Sequence, residues 1–185
     1  MGKKISVHEF YALDGVFDNP TWTADFGFDP KMGNTIGAIT GSATAILLGR
    51  TTFEMFAPAW STRTVEDDPG APFFNETPKY VVSSTLQDPE SIWRNSTVLG
   101  PYNADAIRDL KARGSGNIYI SGSGTLVRAL LADGLVDELH LFVYPVVVGG
   151  GKKTLFLDAG PTTRFRLNNS HVYTNGVVHL NYGSA

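Results

Sequence analysis

The chain has 185 residues, and its 15 Lys and Arg against 18 Asp and Glu give a formal net charge of −3. This balance excludes the strongly basic surface that binds nucleic acid or anionic membranes. Cysteine is absent, which excludes disulfides, thiolate nucleophiles and cysteine-ligated metals. The length and the 42% hydrophobic content predict one globular domain over residues 1–185. No secretory segment is predicted, so we expect a cytoplasmic protein.

The first half of the chain alternates apolar segments with polar loops. Hydrophobic patterning predicts a strand over 5–10, a Gly/Pro/Asp-rich loop from residue 12 to about 30, a helix over 31–39, a strand over 44–48, a helical turn over 52–56 and a strand over 80–83. Pro58, Pro69 and Pro72 predict a loop before the last of these strands.

The second half has a more regular pattern. It predicts a helix over 104–113 with Asn103 as N-cap, a strand over 117–121, a helix over 125–132, a strand over 136–148 broken by Pro145, and a hairpin of 165–173 and 177–182. Asn175 and Gly176 form its turn signal. Alternating strands and helices predict an α/β fold with a mainly parallel sheet, helices on both faces and a C-terminal antiparallel hairpin.

Two predicted strand-to-helix junctions carry the residue types of an anion site. The first contains Gly49, Arg50, Thr51 and Thr52, and the second contains Gly122, Ser123, Gly124 and Thr125. Helix N-termini offer free N–H groups and a positive dipole end, and glycine lets a phosphate approach the backbone. Two such junctions in one open sheet predict a ligand with more than one phosphate at the strand C-termini. Ordinary tight turns are the alternative.

Further polar and aromatic residues are candidates for the same site. Ser83 and Ser84 end a strand, where their hydroxyls bind a phosphate or cap the next turn. Asp14 follows the first strand, where it faces a pocket or forms a turn before Gly15. The triplet Gly149, Gly150 and Gly151 predicts a sharp turn or a backbone wall against a planar ligand.

The segment after the first strand combines aromatic residues with acids. Trp22, Phe26, Phe28 and Met32 surround Asp25 and Asp29, which predicts either an aromatic wall for a planar substrate or a lid packed on the core. Four histidines fall in separate strands without ligand spacing, so no metal site is predicted and most are expected to be partly exposed.

Taken in order, these segments resemble the dihydrofolate reductase superfamily, and most closely the reductase domain of the bacterial riboflavin-biosynthesis deaminase-reductase (RibD C-terminal-like) and its stand-alone relatives. The resemblance lies in Ala12-Leu13-Asp14-Gly15, Gly49-Arg50-Thr51-Thr52-Phe53-Glu54, Val81-Val82-Ser83-Ser84, Gly122-Ser123-Gly124-Thr125-Leu126, Gly134-Leu135-Val136-Asp137-Glu138-Leu139 and the stretch 145–151. It covers nearly the whole chain, roughly residues 4–182.

The resemblance implies an NADPH-dependent reductase. It places the cofactor's 2′-phosphate and pyrophosphate side on Arg50, Thr51, Thr52, Ser83 and Ser84, and the nicotinamide and pyrophosphate side on the 122–125 turn. Folate reductases carry an acid on the first helix, and the predicted helix 31–39 has none, so the substrate is left open as a planar heterocycle or small carbonyl or imine. No deaminase zinc motif is present. The resemblance also implies a homodimer.

Hydride transfer to a C=O or C=N bond also needs a proton, which a desolvated carboxylic acid can supply. Asp14 is the first candidate, Asp29 the second and a bound water the third. Two other classes stay open: a nucleotide-binding module without turnover, and a structural dimer whose glycine turns serve only the fold.

Overall fold

The computed structural model describes residues 2–150, 153–156 and 162–185. Eight strands form one sheet in the order β4-β3-β2-β5-β1-β6-β8-β7. They are β1 Lys4–Ala12, β2 Ala43–Gly49, β3 Lys79–Val82, β4 Ser96–Gly100, β5 Asn117–Ser121, β6 Glu138–Tyr144, β7 Phe165–Val172 and β8 Val178–Ser184. The first six pair in parallel, and β8 pairs antiparallel with β6 and β7. The predicted mainly parallel sheet with an antiparallel C-terminal hairpin is confirmed.

Helices connect the parallel strands. They are α1 Pro30–Gly41, α2 Arg50–Trp60, α3 Ala71–Glu76, α4 Pro89–Ile92, α5 Ala104–Ala112 and α6 Gly124–Ala132, with a 3-10 helix over Thr21–Phe26. Among the described residues, no helix has the length and apolar character needed to cross a membrane.

The elements differ from the predictions mainly at α2, at several short elements and at the end of β6. The predicted turn over 52–56 is an eleven-residue helix, α2, which contains Pro58 near its end. The short strand β4 and the helices α3 and α4 were not predicted, because each has only four to six residues. The strand predicted over 136–148 ends at Tyr144, because Pro145 has no N–H to donate to the sheet.

The sheet has an apolar core on each face. The α6 face packs Ile5 and Val7 of β1 against α5 and α6. The α1 face packs Phe142 and Tyr144 of β6 with residues of α1 and α2. Because side chains alternate along a strand, Glu9 follows Val7 onto the α6 face, whereas Phe10 lies in the core of the α1 face.

The expectation that most histidines are partly exposed is wrong. His8, His140 and His179 are buried, and only His171 is exposed. His8 Nδ1 lies 2.7 Å from the Tyr119 hydroxyl, and His140 Nδ1 lies 3.0 Å from His179 Nε2. Burial lowers the pKa of His8 to about 3 and that of His179 to about 4, so both are neutral near pH 7. Within the described ranges, no cluster of three or more His, Cys, Asp or Glu could hold a metal.

Asp29 joins α1 to the turn between β7 and β8. Its Oδ1 accepts hydrogen bonds from Lys31 N at 2.7 Å and Met32 N at 3.2 Å, which caps α1. Its Oδ2 accepts from the N–H and the hydroxyl of Thr174 at 2.9 and 2.6 Å. The Thr174 hydroxyl is the largest cause that lowers the Asp29 pKa to about 2. One carboxylate therefore fixes a helix start against a distant hairpin.

We expect Asp29→Ala to lower the midpoint of urea unfolding, because four donors lose their acceptor. The folded-state pKa lies below the usual 3.8, so the stabilisation is present above pH 3.8 and is lost as pH falls toward about 2. The difference in urea midpoint between Asp29→Ala and the wild type should therefore narrow as the pH falls from 3.8 toward about 2. Asp25→Ala, at an exposed position, is the control. Equal midpoints near neutral pH would contradict this role.

Candidate functional site

The three predicted phosphate-binding segments meet at one edge of the sheet. They follow β3, β2 and β5, which are consecutive in the sheet order and parallel. Because parallel strands end at the same edge, Ser83, Gly49 and Gly122 lie side by side where these strands end. This carboxyl edge is where ligands bind in open α/β sheets.

The two glycine-containing junctions contact each other. Gly49 N donates a hydrogen bond to Ser123 Oγ at 2.8 Å. A Cβ atom on Gly122 would lie 3.4 Å from the side chain of Thr52. Gly122 and Ser123 both have positive φ, 65° and 63°, so the turn places two consecutive residues in the left-handed region. Residues 49–52 and 122–125 therefore form one continuous surface.

The helices that begin at this surface lack protein caps. Asp29 and Asn103 accept first-turn N–H bonds of α1 and α5. In the part of the chain that the structure describes, no side chain caps α2 or α6, and the short helices α3 and α4 are uncapped as well. Free first-turn N–H groups and the positive end of the helix dipole attract an anion. Two uncapped helix starts side by side can accept two phosphate groups.

Arg50 extends this surface to the end of β3. Its Nη1 donates to Thr85 Oγ1 at 3.1 Å, and its Nε lies 3.8 Å from Glu54 Oε1. The Arg50 side chain is 51% exposed, so it can turn toward a ligand. Ser83 Oγ accepts from the amides of Thr85 and Leu86 at 3.1 and 2.9 Å, which is the turn-capping alternative. No acceptor for the Ser83 hydroxyl proton is found among the described residues, so the hydroxyl can donate to a ligand, beside the exposed Ser84.

Packing against Phe17 explains why residue 124 is a glycine. A Cβ there would lie 2.2 Å from the Phe17 ring, which covers the start of α6. A larger residue at 124 would displace Phe17 before it touched a ligand. Thr125 is exposed on the first turn of α6, and Arg128 donates to its hydroxyl at 3.3 Å. Thr125 is therefore the better position at which to probe this helix end.

Both predicted acids accept hydrogen bonds that favour their ionised form, and their role as proton donors stays a prediction. Asp14 Oδ2 accepts from Gly149 N at 2.7 Å, and the Gly149 amide is the main cause that lowers the Asp14 pKa. Asp29 has a pKa of about 2 and is occupied with Thr174 and α1. The hypothesis required a desolvated carboxyl with a raised pKa, but backbone and hydroxyl donors keep both groups ionised instead.

Glu9 has the raised pKa, and the sequence reading missed it. It is 3% exposed on β1, and Oε2 accepts from Gly122 N at 3.2 Å. Burial raises the Glu9 pKa to about 8, and the Gly122 amide partly opposes this. The alternation of Ile5, Val7 and Glu9 in a predicted core strand was the available signal, since a carboxyl there must be buried.

The aromatic segment converges on a residue that the sequence reading did not select, Tyr144. The rings of Trp22 and Phe26 meet Tyr144 edge-on, with centroids 5.2 and 5.4 Å away, and Met32 Sδ lies 4.0 Å from its hydroxyl. Phe28 does not join them: it is 76% exposed and covers Gly33 of α1. Trp22 Nε1 is buried without a hydrogen-bond partner among the described residues. This aromatic cluster lies on the α1 face.

The glycine triplet is only partly described. Gly149 and Gly150 have positive φ, 63° and 70°, and Gly149 is the residue that holds Asp14. Gly151 lies outside the described residues. The triplet therefore orders the loop after β1, and a wall against a ligand stays a prediction.

A cavity of about 540 Å³ lies at the opposite edge of the sheet. Its lining includes Ser6, Asn117 and Glu138 from the starts of β1, β5 and β6, together with His140 and His179. None of the residues predicted to bind cofactor or substrate lines it. Its volume is typical of a ligand pocket, but its position separates it from the uncapped helix ends.

Comparisons with known proteins give a family match over most of the chain and a relative of similar length. The RibD C-terminal domain family matches residues 3–179. The uncharacterized protein YyaP of Bacillus subtilis (strain 168) is 28% identical over 176 residues, 92% of this chain and 89% of the relative.

Solved structures show the same fold. A proposed riboflavin biosynthesis protein of Shewanella sp. PV-4 aligns with a TM-score of 0.80 and 22% identity, over 100% of this chain and 99% of that one. A pyrimidine reductase-like protein of Corynebacterium diphtheriae aligns with a TM-score of 0.68 and 17% identity, over 99% and 92%. RibD of Acinetobacter baumannii aligns with a TM-score of 0.67 and 15% identity, over 100% of this chain and 58% of that one. By its sequence match and its parallel sheet with this carboxyl edge, the chain belongs to the RibD C-terminal domain family.

Proposed function

We propose that the protein is an NADPH-dependent reductase that transfers a hydride to a small heterocyclic, carbonyl or imine substrate. The observation that carries the proposal is the pair of uncapped helix starts, α2 and α6, joined by the hydrogen bond from Gly49 N to Ser123 Oγ. A dinucleotide presents several phosphate groups along its length, which suits two adjacent anion sites.

The residues present fit this cofactor. The N–H groups of α6 would hold the pyrophosphate, with glycine at 122 allowing close approach. The 2′-phosphate and pyrophosphate side would be held by Arg50, Thr51, Thr52, Ser83 and Ser84. When bound, NADPH supplies the hydride, and the protein positions it and provides charge.

Arg50→Ala tests the 2′-phosphate assignment. Removing a charge-assisted hydrogen bond of about 1.5–3 kcal/mol should weaken NADPH binding about tenfold or more and leave NADH binding nearly unchanged. Isothermal titration with both cofactors measures this. Arg108→Ala, an equally exposed arginine on α5, is the matched control. Equal losses for NADPH and NADH would refute the assignment.

Thr125→Asp tests the end of α6 and separates binding from stability. An acid on the first turn favours the helix dipole, so thermal stability should be kept or rise by about 0.5 kcal/mol. The same charge repels a phosphate, so NADPH affinity should fall at least about tenfold. Thr125→Asn is the neutral control. If Thr125→Asp binds NADPH as tightly as the wild type, α6 does not hold the pyrophosphate.

The aromatic cluster of Trp22, Phe26, Met32 and Tyr144 is the proposed substrate side. Edge-on rings and a buried indole N–H without a partner suit a planar molecule with one acceptor atom. Since Asp14 and Asp29 are ionised, we propose that water delivers the proton that accompanies the hydride.

A nucleotide-binding module without turnover is the second candidate, favoured by the absence of a neutral acid at Asp14 and Asp29. Oxidation of NADPH, followed across a panel of planar heterocycles, aldehydes and imines, separates the two. Oxidation with any member identifies an enzyme, and binding without oxidation identifies a module.

We also propose a homodimer through the β7 edge. β7 ends the sheet, and every residue from Arg166 to Val172 is exposed, including Leu167 at 51% and Val172 at 70%. An edge strand uncovered on both faces is a ready site for pairing. Light scattering at micromolar concentration should give twice the 20.0 kDa of one chain. A single species at the mass of one chain would rule it out.

A further inference from the structure

One buried carboxyl is not used by the proposed hydride transfer. Glu9 Oε2 is bonded to Gly122 N, whereas Oε1 is buried with no hydrogen-bond partner in the described ranges. A buried carboxyl that is half satisfied costs folding free energy. Its contact with Gly122 puts this group at the turn that starts α6, within one residue of Ser123.

Among the described residues, no charged group is found to offset an ionised Glu9. Its cross-strand neighbour on β6 is Leu141. On β1 the next side chain on the same face is Tyr11. Tyr119 of β5 packs on the opposite face, and its pKa is raised mainly by burial and partly by Glu9. Asp14, the acid after β1, is held by Gly149 N.

Two described arginines near this edge, Arg128 and Arg50, are engaged with other groups. Arg128 of α6 donates to the carbonyls of Thr154 and Leu155, and Arg50 of α2 donates to Thr85. Burial and the Gly122 amide are therefore the two influences on the Glu9 carboxyl, and burial dominates.

We propose that Glu9 sets the anion affinity of the 122–125 turn: the neutral carboxyl permits a bound phosphate, and the ionised carboxylate repels it. This inference rests on the proposed function, because the anion is the cofactor's pyrophosphate. Glu9 lies on the α6 face and the aromatic cluster lies on the α1 face, so it acts on the cofactor side. It is a positioning residue that acts through Gly122.

The direction of the effect follows from the charges. An ionised Glu9 places a negative charge 3.2 Å from Gly122 N and offsets the positive end of α6. With a pKa of about 8, Glu9 is mostly neutral at pH 7 and mostly ionised at pH 9. If only the neutral form accepts the phosphate, the apparent Kd rises about tenfold over that interval.

The test measures NADPH affinity between pH 7 and pH 9 for the wild type, Glu9→Gln and Glu138→Gln. The 2′-phosphate has its second pKa near 6, so the cofactor's charge is constant in this range. From pH 7 to pH 9 we expect the NADPH affinity of the wild type and of Glu138→Gln to fall about tenfold. The affinity of Glu9→Gln should change by no more than about twofold. Gln keeps an acceptor for Gly122 N and cannot ionise.

A second measurement does not use the cofactor. The folded-state pKa of Glu9 lies above its usual 4.5, so its stabilisation is complete below pH 4.5 and is lost as pH rises toward 8. Glu9→Gln should therefore gain urea stability relative to the wild type from pH 5 to pH 8.

The outcomes separate the two proposals. NADPH binding with a flat pH profile in the wild type, or an equal slope in Glu9→Gln, overturns the role of Glu9 and leaves the reductase proposal standing. Parallel urea midpoints for both proteins from pH 5 to pH 8 also overturn it. No NADPH binding at any pH overturns both.

Discussion

The hydrogen bond from Gly49 N to Ser123 Oγ joins the ends of two adjacent parallel strands within the carboxyl-edge site, and the parallel pairing of these strands is the constraint on which the site depends. It exists because β2 and β5 pair in parallel, although 74 residues separate the two groups in the chain. With it, two helix starts lie side by side and both lack a capping side chain among the described residues.

Three carboxylates around this edge illustrate how environment sets the role of a residue type. Asp14 accepts a backbone amide and Asp29 accepts two amides and the Thr174 N–H and hydroxyl, so both remain ionised and hold the structure together. Glu9 accepts one amide in an apolar core, so burial dominates and its proton is retained near neutral pH. The first two organise loops around the site, and only the third can change charge in the physiological range.

The two faces of the sheet carry different parts of the candidate site. The α6 face carries the glycine turn and Glu9, whereas the α1 face carries the aromatic cluster and the buried histidines. β1 contributes to both, because Glu9 and Phe10 are consecutive and point to opposite sides. A cofactor lying across the carboxyl edge would reach a substrate on the α1 face from the α6 side.

The sequence by itself determined the α/β fold, the positions of its main strands along the chain and the segments that lie at the carboxyl edge. Glycine-containing junctions after apolar strands are local signals, and parallel strands then bring them to one edge. It missed β4, α3 and α4, since four to six residues do not establish a period, and it ended α2 too early. The tertiary structure alone decided which acid is ionised, because a pKa depends on donors such as Gly149 and Thr174 that lie 135 and 145 residues away in the chain. It also decided that Phe28 leaves the aromatic cluster and that Gly124 makes room for Phe17, since packing between distant segments has no counterpart in a local pattern.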